Sequence, residues 1–311
     1  MDQEAIRKGA RLVETTDPKS KIRLLHVKSD HLLPHTYIIE SPSALQILLQ
    51  PWLVGASLAN SARESSKDFL CAAFGIVKEF RNSTIDTVTE VVPLAGALYY
   101  SLAEAFEAVF GETINRCFIG AKRHLSESGW MTDLSYLNFE AMTAQPLILI
   151  GDTIATGGTI ESIIQATMNH SSEIRAIVVY SIAGGLKGAV RLKHLADRIQ
   201  IPVYTFYSNA IFGVEPNGTD MPWLHPGTVV SPEIGNKAEM VYGLDLGRRW
   251  CSIWDWGDRS KHPLKHLREL IERCDFELSK VPNKQTRAIL ERIKNECRTA
   301  LKSLSRSLSL K

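Results

Sequence analysis

The segment Leu147-Ile148-Leu149-Ile150-Gly151-Asp152-Thr153-Ile154-Ala155-Thr156-Gly157-Gly158-Thr159 constrains this chain more than any other. Its unbroken apolar run fits a central parallel strand covered on both faces. A loop of small and hydroxyl residues follows, and the pattern predicts a helix over residues 159–169. Gly157 and Gly158 let the backbone turn sharply and approach a ligand closely. Thr156 and Thr159 add hydroxyl donors beside the open N–H groups of a helix start, a combination suited to a phosphate dianion. Asp152, at the carboxyl end of the strand, is placed to accept hydrogen bonds from sugar hydroxyls, or to cap the helix. No Gly-Lys-Ser/Thr follows and no GxGxxG is present, which sets the loop apart from Walker and dinucleotide-binding fingerprints.

Strand and helix patterns alternate on either side of this unit. Helices are predicted over residues 65–80, 98–110 and 188–197, and strands over 85–94, 116–119, 174–182 and 202–207. Such alternation is the signature of an α/β fold: an open, mostly parallel sheet flanked by helices on both faces. Ligands of these sheets bind at the carboxyl ends of the strands. Three loops converge there: residues 93–97, residues 151–159, and a long polar stretch over 120–138 that carries Lys122, Arg123 and His124. Residues 35–60 read as helical entry structure. Periodicity fades over 208–262, which reads as a loop-rich hood belonging to one body spanning 1–262. Residues 263–311 read as a basic helical extension with one apolar stripe (Leu264, Leu267, Leu270, Ile271, then Leu290, Ile293, Cys297, Leu301). Packing of that stripe on the body competes with a role as a nucleic-acid or partner-binding arm.

Composition excludes little more. A formal net charge of +2 gives no global reason to bind nucleic acid or a membrane, and no apolar run approaches a membrane span. The first residues are polar, without the apolar core of a secretion signal, so a cytoplasmic location is expected. Five widely spaced cysteines with no CxxC form neither a disulfide framework nor a zinc motif.

Residues 152–159 resemble the PRPP-binding motif of type I phosphoribosyltransferases, and other segments resemble, in order, uracil phosphoribosyltransferases in particular. Val91-Val92-Pro93-Leu94-Ala95-Gly96-Ala97 is similar to the family's pyrophosphate loop. Phe118-Ile119-Gly120-Ala121-Lys122-Arg123 is similar to the strand and basic flexible loop that follow it. Ile177-Val178-Val179-Tyr180-Ser181 with Gly184-Gly185-Leu186 looks like the next strand and turn, and Trp254-Asp255-Trp256-Gly257-Asp258-Arg259 resembles the segment that closes the hood over the base. The likeness covers roughly residues 84–259. Leu94 stands where the family usually carries an arginine, and Gly151 stands in place of the first acid of the motif. Trp254 and Trp256 replace much smaller residues, which puts uracil itself in doubt.

The resemblance implies transfer of a 5-phosphoribosyl group from PRPP to a ring nitrogen of a nucleobase or related heterocycle, with release of pyrophosphate. It assigns the 5′-phosphate to Ala155, Thr156, Gly157, Gly158 and Thr159, and the pyrophosphate to Leu94, Ala95 and Gly96. Asp152, Lys122 and Arg123 become the catalytic candidates, and Trp254, Asp255, Trp256, Gly257 and Asp258 the base-side hood. Mg²⁺ is the implied cofactor, carried mainly by substrate oxygens and water, with Asp255 able to ligate it through water. A homodimer is the implied assembly. Transfer to a non-nucleobase acceptor, and a non-catalytic PRPP or nucleotide sensor with a basic tail, are the competing expectations.

Overall fold

Six strands run parallel through the middle of the protein, and their apolar residues point alternately into two cores. The computed structural model describes residues 1–15, 22–94, 96–126, 129–251 and 256–309. The chain opens with α1 (Gln3–Gly9), β1 (Arg11–Glu14), β2 (Arg23–Lys28) and β3 (Thr36–Glu40), followed by α2 (Pro42–Leu49), α3 (Gly55–Ile76) and α4 (Lys78–Arg81). Next come β4 (Val88–Leu94), α5 (Leu102–Phe110), β5 (Asn115–Ser126), β6 (Gly129–Asn138), β7 (Leu147–Gly151) and α6 (Gly158–His170). The second half holds β8 (Ala176–Ser181), β9 (Gly184–Gly185), α7 (Leu186–Ala196), β10 (Val203–Ser208), β11 (Ala210–Phe212) and β12 (Val229–Val230). Four helices follow: α8 (Pro232–Arg249), α9 (Trp256–Lys261), α10 (Pro263–Ser279) and α11 (Lys284–Ser309).

The main sheet has the order β1-β2-β3-β10-β8-β7-β4-β5-β6. From β3 to β5 every pairing is parallel, while β1, β2 and β6 run antiparallel at the two edges. The expected open, mostly parallel α/β architecture is therefore present. Along β7, Leu147 and Leu149 enter the larger core beneath α3 and α5, and Ile148 and Ile150 enter the core shared with α6 and α7. All four are fully buried, so the strand that carries the loop is held from both sides.

Three expectations need correction. Residues 120–138 are no loop: β5 continues to Ser126 and pairs with β6 from Ser126↔Gly129 to Phe118↔Asn138, with a bulge at Gly120/Ala121. Trp, Thr, Tyr and Leu, all good strand formers, are interleaved with charges because neither face of this ribbon is fully covered. Residues 35–60 begin with a buried strand, β3, which turns into α2 through an N-cap at Ser41 and Pro42 at the first helical position. The presumed loop-rich hood contains the 18-residue helix α8, whose periodicity is blurred by Gly235, Gly243 and Gly247 and kinked at Gly243 (φ 67°).

The apolar stripe foreseen near the C-terminus is buried in the larger core through Leu267, Leu270, Cys274, Leu290, Ile293 and Cys297. No helix among the described residues is long and apolar enough to cross a membrane.

Candidate active site

A cavity of about 550 Å³ opens at the carboxyl ends of β4 and β7. Its floor is the loop leaving β7. Asp152 N donates to Tyr180 O (3.0 Å), Ile154 N to Ala183 O (3.2 Å) and Gly188 N to Ala155 O (2.9 Å), so the turn between β8 and α7 fixes the loop from behind. Gly157 adopts φ 80°, where a side chain would be strained, and a Cβ there would meet Gly188 Cα at 3.0 Å. From Gly157 the chain enters α6, whose first-turn N–H groups lack helical acceptors and carry the positive end of the helix dipole. Ala155, Thr156, Gly157, Gly158 and Thr159 all line the cavity, as the phosphate reading requires.

Asp152 sits between this loop and the end of β4. Its Oδ1 accepts from Thr153 N (2.8 Å), and a Cβ at Gly96 would lie 3.4 Å from the same oxygen. Gly151 is compelled to be small, since a Cβ there would press on the Tyr100 ring at 3.2 Å. Burial pushes the Asp152 carboxyl up to about 7, while the Thr153 N–H and the Arg123 guanidinium pull it down. An ordinary aspartate gives up its proton near 3.8, so folding retains a proton between that value and about 7. The resulting stability is present below pH 3.8 and is lost as pH rises through about 7. Titration of the Asp152 carboxyl carbon by NMR should show a midpoint near 7, and Arg123→Met should move that midpoint upward.

The sequence candidates separate on the structure. Leu94, Gly96, Asp152, Arg123 and Gly257 line the cavity together. Lys122, next to Arg123 on β5, does not, because adjacent strand residues point to opposite faces; it stands across from Asp133. Asp258 also stays outside and pairs with Lys265 (2.5 Å). Arg259 is fully buried and donates to three backbone carbonyls, so the end of the hood-like segment serves the core. Ala95, Trp254 and Asp255 lie outside the described residues, as does the side chain of Trp256.

Sequence reasoning missed one wall. Thr219, Asp220 and Met221 reach the cavity from the connection between β11 and β12, and Cys251 joins them. Asn217 Oδ1 accepts from Thr219 N and Asp220 N (both 3.0 Å), and its Nδ2 donates to Asp220 Oδ2 (2.9 Å). The Asn217-Gly218 dipeptide is a turn signal, and Gly218 takes φ 75°. Thr132 of β6 meets Thr159 hydroxyl to hydroxyl at 3.1 Å.

All five cysteine thiols are free. Among the described residues no three His, Cys, Asp or Glu side chains are grouped as a metal site. Of the carboxylates lining the cavity, Asp220 suits a divalent ion that arrives on substrate oxygens and keeps much of its water.

No protein-family model matches the chain, and no curated protein does. Among solved structures it is similar to the adenine phosphoribosyltransferase of Thermoanaerobacter pseudethanolicus, at 16% identity over 66% of this chain and 99% of that one, with a TM-score of 0.32. It is also similar to the adenine phosphoribosyltransferase of Trypanosoma brucei in complex with AMP, pyrophosphate and ribose-5-phosphate (14% identity, 57% and 84% of the two chains, TM-score 0.36). A third likeness is to a hypothetical protein from Neisseria gonorrhoeae with bound ppGpp (9% identity, 48% and 81%, TM-score 0.31).

Proposed function

We propose that the protein is a phosphoribosyltransferase that moves the 5-phosphoribosyl group of PRPP onto a ring nitrogen of a nucleobase or related heterocycle. The observation that carries this reading is the junction of β7 and α6. The N–H groups at the start of α6 lie next to a carboxyl in one cavity, with a guanidinium on its wall. In this reading residues 155–159 anchor the 5′-phosphate. Asp152, in its charged form, holds ribose hydroxyls and stabilises positive charge developing on the sugar. Arg123 is the one cation lining the cavity among the described residues, and in this reading its charge neutralises substrate phosphate oxygens. Mg²⁺ would supply further neutralisation of the leaving group, carried mainly by substrate oxygens and water, with Asp220 as its protein anchor.

Pro93, Met221, Cys251 and Gly257 give the remaining wall an apolar, sulfur-rich character suited to the face of a flat ring. With Leu94 at the usual arginine position the pyrophosphate side has one cation fewer, and the acceptor is a nucleobase, uracil-like or a related heterocycle. The decisive assay is release of pyrophosphate from PRPP and Mg²⁺ across uracil, other pyrimidines, purines and related heterocycles. Release that depends on a single acceptor supports the reading and names the substrate. Tight PRPP binding without release across the panel would favour a sensor, and no PRPP binding would overturn the assignment of residues 152–159.

A further inference from the structure

Trp130 stands on β6 of the β5–β6 arm, across from Leu125, and is 41% exposed, an unusual setting for an indole. Three contacts explain it. Arg123 and Trp130 are diagonal cross-strand neighbours, since Arg123 pairs with Thr132 and Leu125 with Trp130. The Arg123 guanidinium carbon lies 5.3 Å from the centre of the indole ring, within cation–π range. Trp130 Nε1 donates to Asn217 O at 3.1 Å. A Cβ at Gly218 would stand 3.4 Å from Trp130 Cδ1 and 3.2 Å from Thr156 Cγ2, so Gly218 is clasped between the indole and the phosphate loop.

We propose that Trp130 is the positioning residue of this site: it fixes the Arg123 guanidinium at the cavity wall and docks the arm on the Asn217 turn. This rests on the phosphoribosyl-transfer reading for its consequence, though the placement of Arg123 can be observed without any substrate. An arginine on an exposed ribbon has many rotamers, and most would carry its charge away from the cavity. The indole face restricts them, and its N–H ties the ribbon to a turn that is itself closed by the Asn217 side chain. Substrate then meets a cation already in place.

Two measurements on the full chain test this with Trp130→Phe, Trp130→Ala, Arg123→Met and the double variant Arg123→Met/Trp130→Ala. The first needs no ligand. The Asp152 carboxyl feels Arg123 through space. Its NMR midpoint should therefore rise in Trp130→Ala toward the Arg123→Met value, stay near the parent value in Trp130→Phe, and rise no further in the double variant. The second is the Kd for PRPP with Mg²⁺, expected to weaken roughly tenfold in Trp130→Ala and two- to threefold in Trp130→Phe, which keeps the ring face and loses the N–H. The double variant should bind no more weakly than Arg123→Met alone. A parent-like midpoint in Trp130→Ala, or additive losses in the double variant, would overturn the proposal. If the parent protein fails to bind PRPP, the functional reading falls, and the titration still decides whether Trp130 places Arg123.

Discussion

Asp152→Asn is expected to lower turnover by on the order of a hundredfold or more, with no loss of fold. The amide keeps the shape of the carboxyl, and its oxygen can still accept from Thr153 N, which now bonds Oδ1 at 2.8 Å. What disappears is negative charge on the cavity floor, where a sugar cation would develop. The parent carboxyl is held up to about 7 by burial, so the variant also removes a charge that is costly to keep desolvated. Thermal stability above pH 7 should therefore be equal to or higher than that of the parent, while activity collapses. Steady-state assays with the acceptor found by the panel, paired with melting curves, separate the two effects. Unchanged turnover would remove Asp152 from the chemistry.

The largest expected loss of stability belongs to Arg259→Met. Arg259 Nε donates to Leu53 O (2.7 Å), Nη1 to Ile47 O (3.0 Å) and Nη2 to Gln50 O (2.6 Å). Ile47 and Gln50 belong to the last turn and C-cap of α2, where helical carbonyls have no intrahelical partner and the dipole favours a cation. Desolvation lowers the guanidinium to about 10, still charged at neutral pH. Among the described residues no carboxylate pairs with it, and three backbone carbonyls accept from its guanidinium. Methionine fills a similar volume and satisfies none of the three acceptors, at an expected cost of about 3–5 kcal/mol. Urea unfolding monitored by circular dichroism measures it. A variant within about 0.5 kcal/mol of the parent would mean that water replaces the guanidinium without penalty.

Legibility in the sequence followed how completely each segment is buried. The β7–α6 unit was readable because both faces of its strand are covered and its loop must be small, a demand that leaves a dense run of apolar residues and then glycine. The C-terminal stripe was readable for the matching reason, since one helical face enters the core at regular spacing. The arm was not. Beyond Gly120, β5 has β6 as its sheet neighbour and no longer pairs with β4, so its charged residues suppress the alternation that marks a half-buried strand. Helix α8 hid behind its glycines. The Asn217 turn carried a clear local signal, yet nothing in its spacing linked it to residues 60 or more positions earlier, and Asp220 and Met221 were missed for that reason.

The two sides of the cavity differ in mechanical support. Strand β7 is a beam paired with β8 along its whole length and with β4 over Leu147–Leu149, whereas the arm is a cantilever rooted at Gly120 and propped by Trp130. A cantilever bends at its root, and here the root is a bulge next to a glycine. Amide hydrogen exchange along β7 should therefore register events close to global unfolding, while exchange in the arm reports a hinge whose stiffness is set by its prop. One wall of the cavity is stiffened by sheet pairing, the other by an indole on a ribbon.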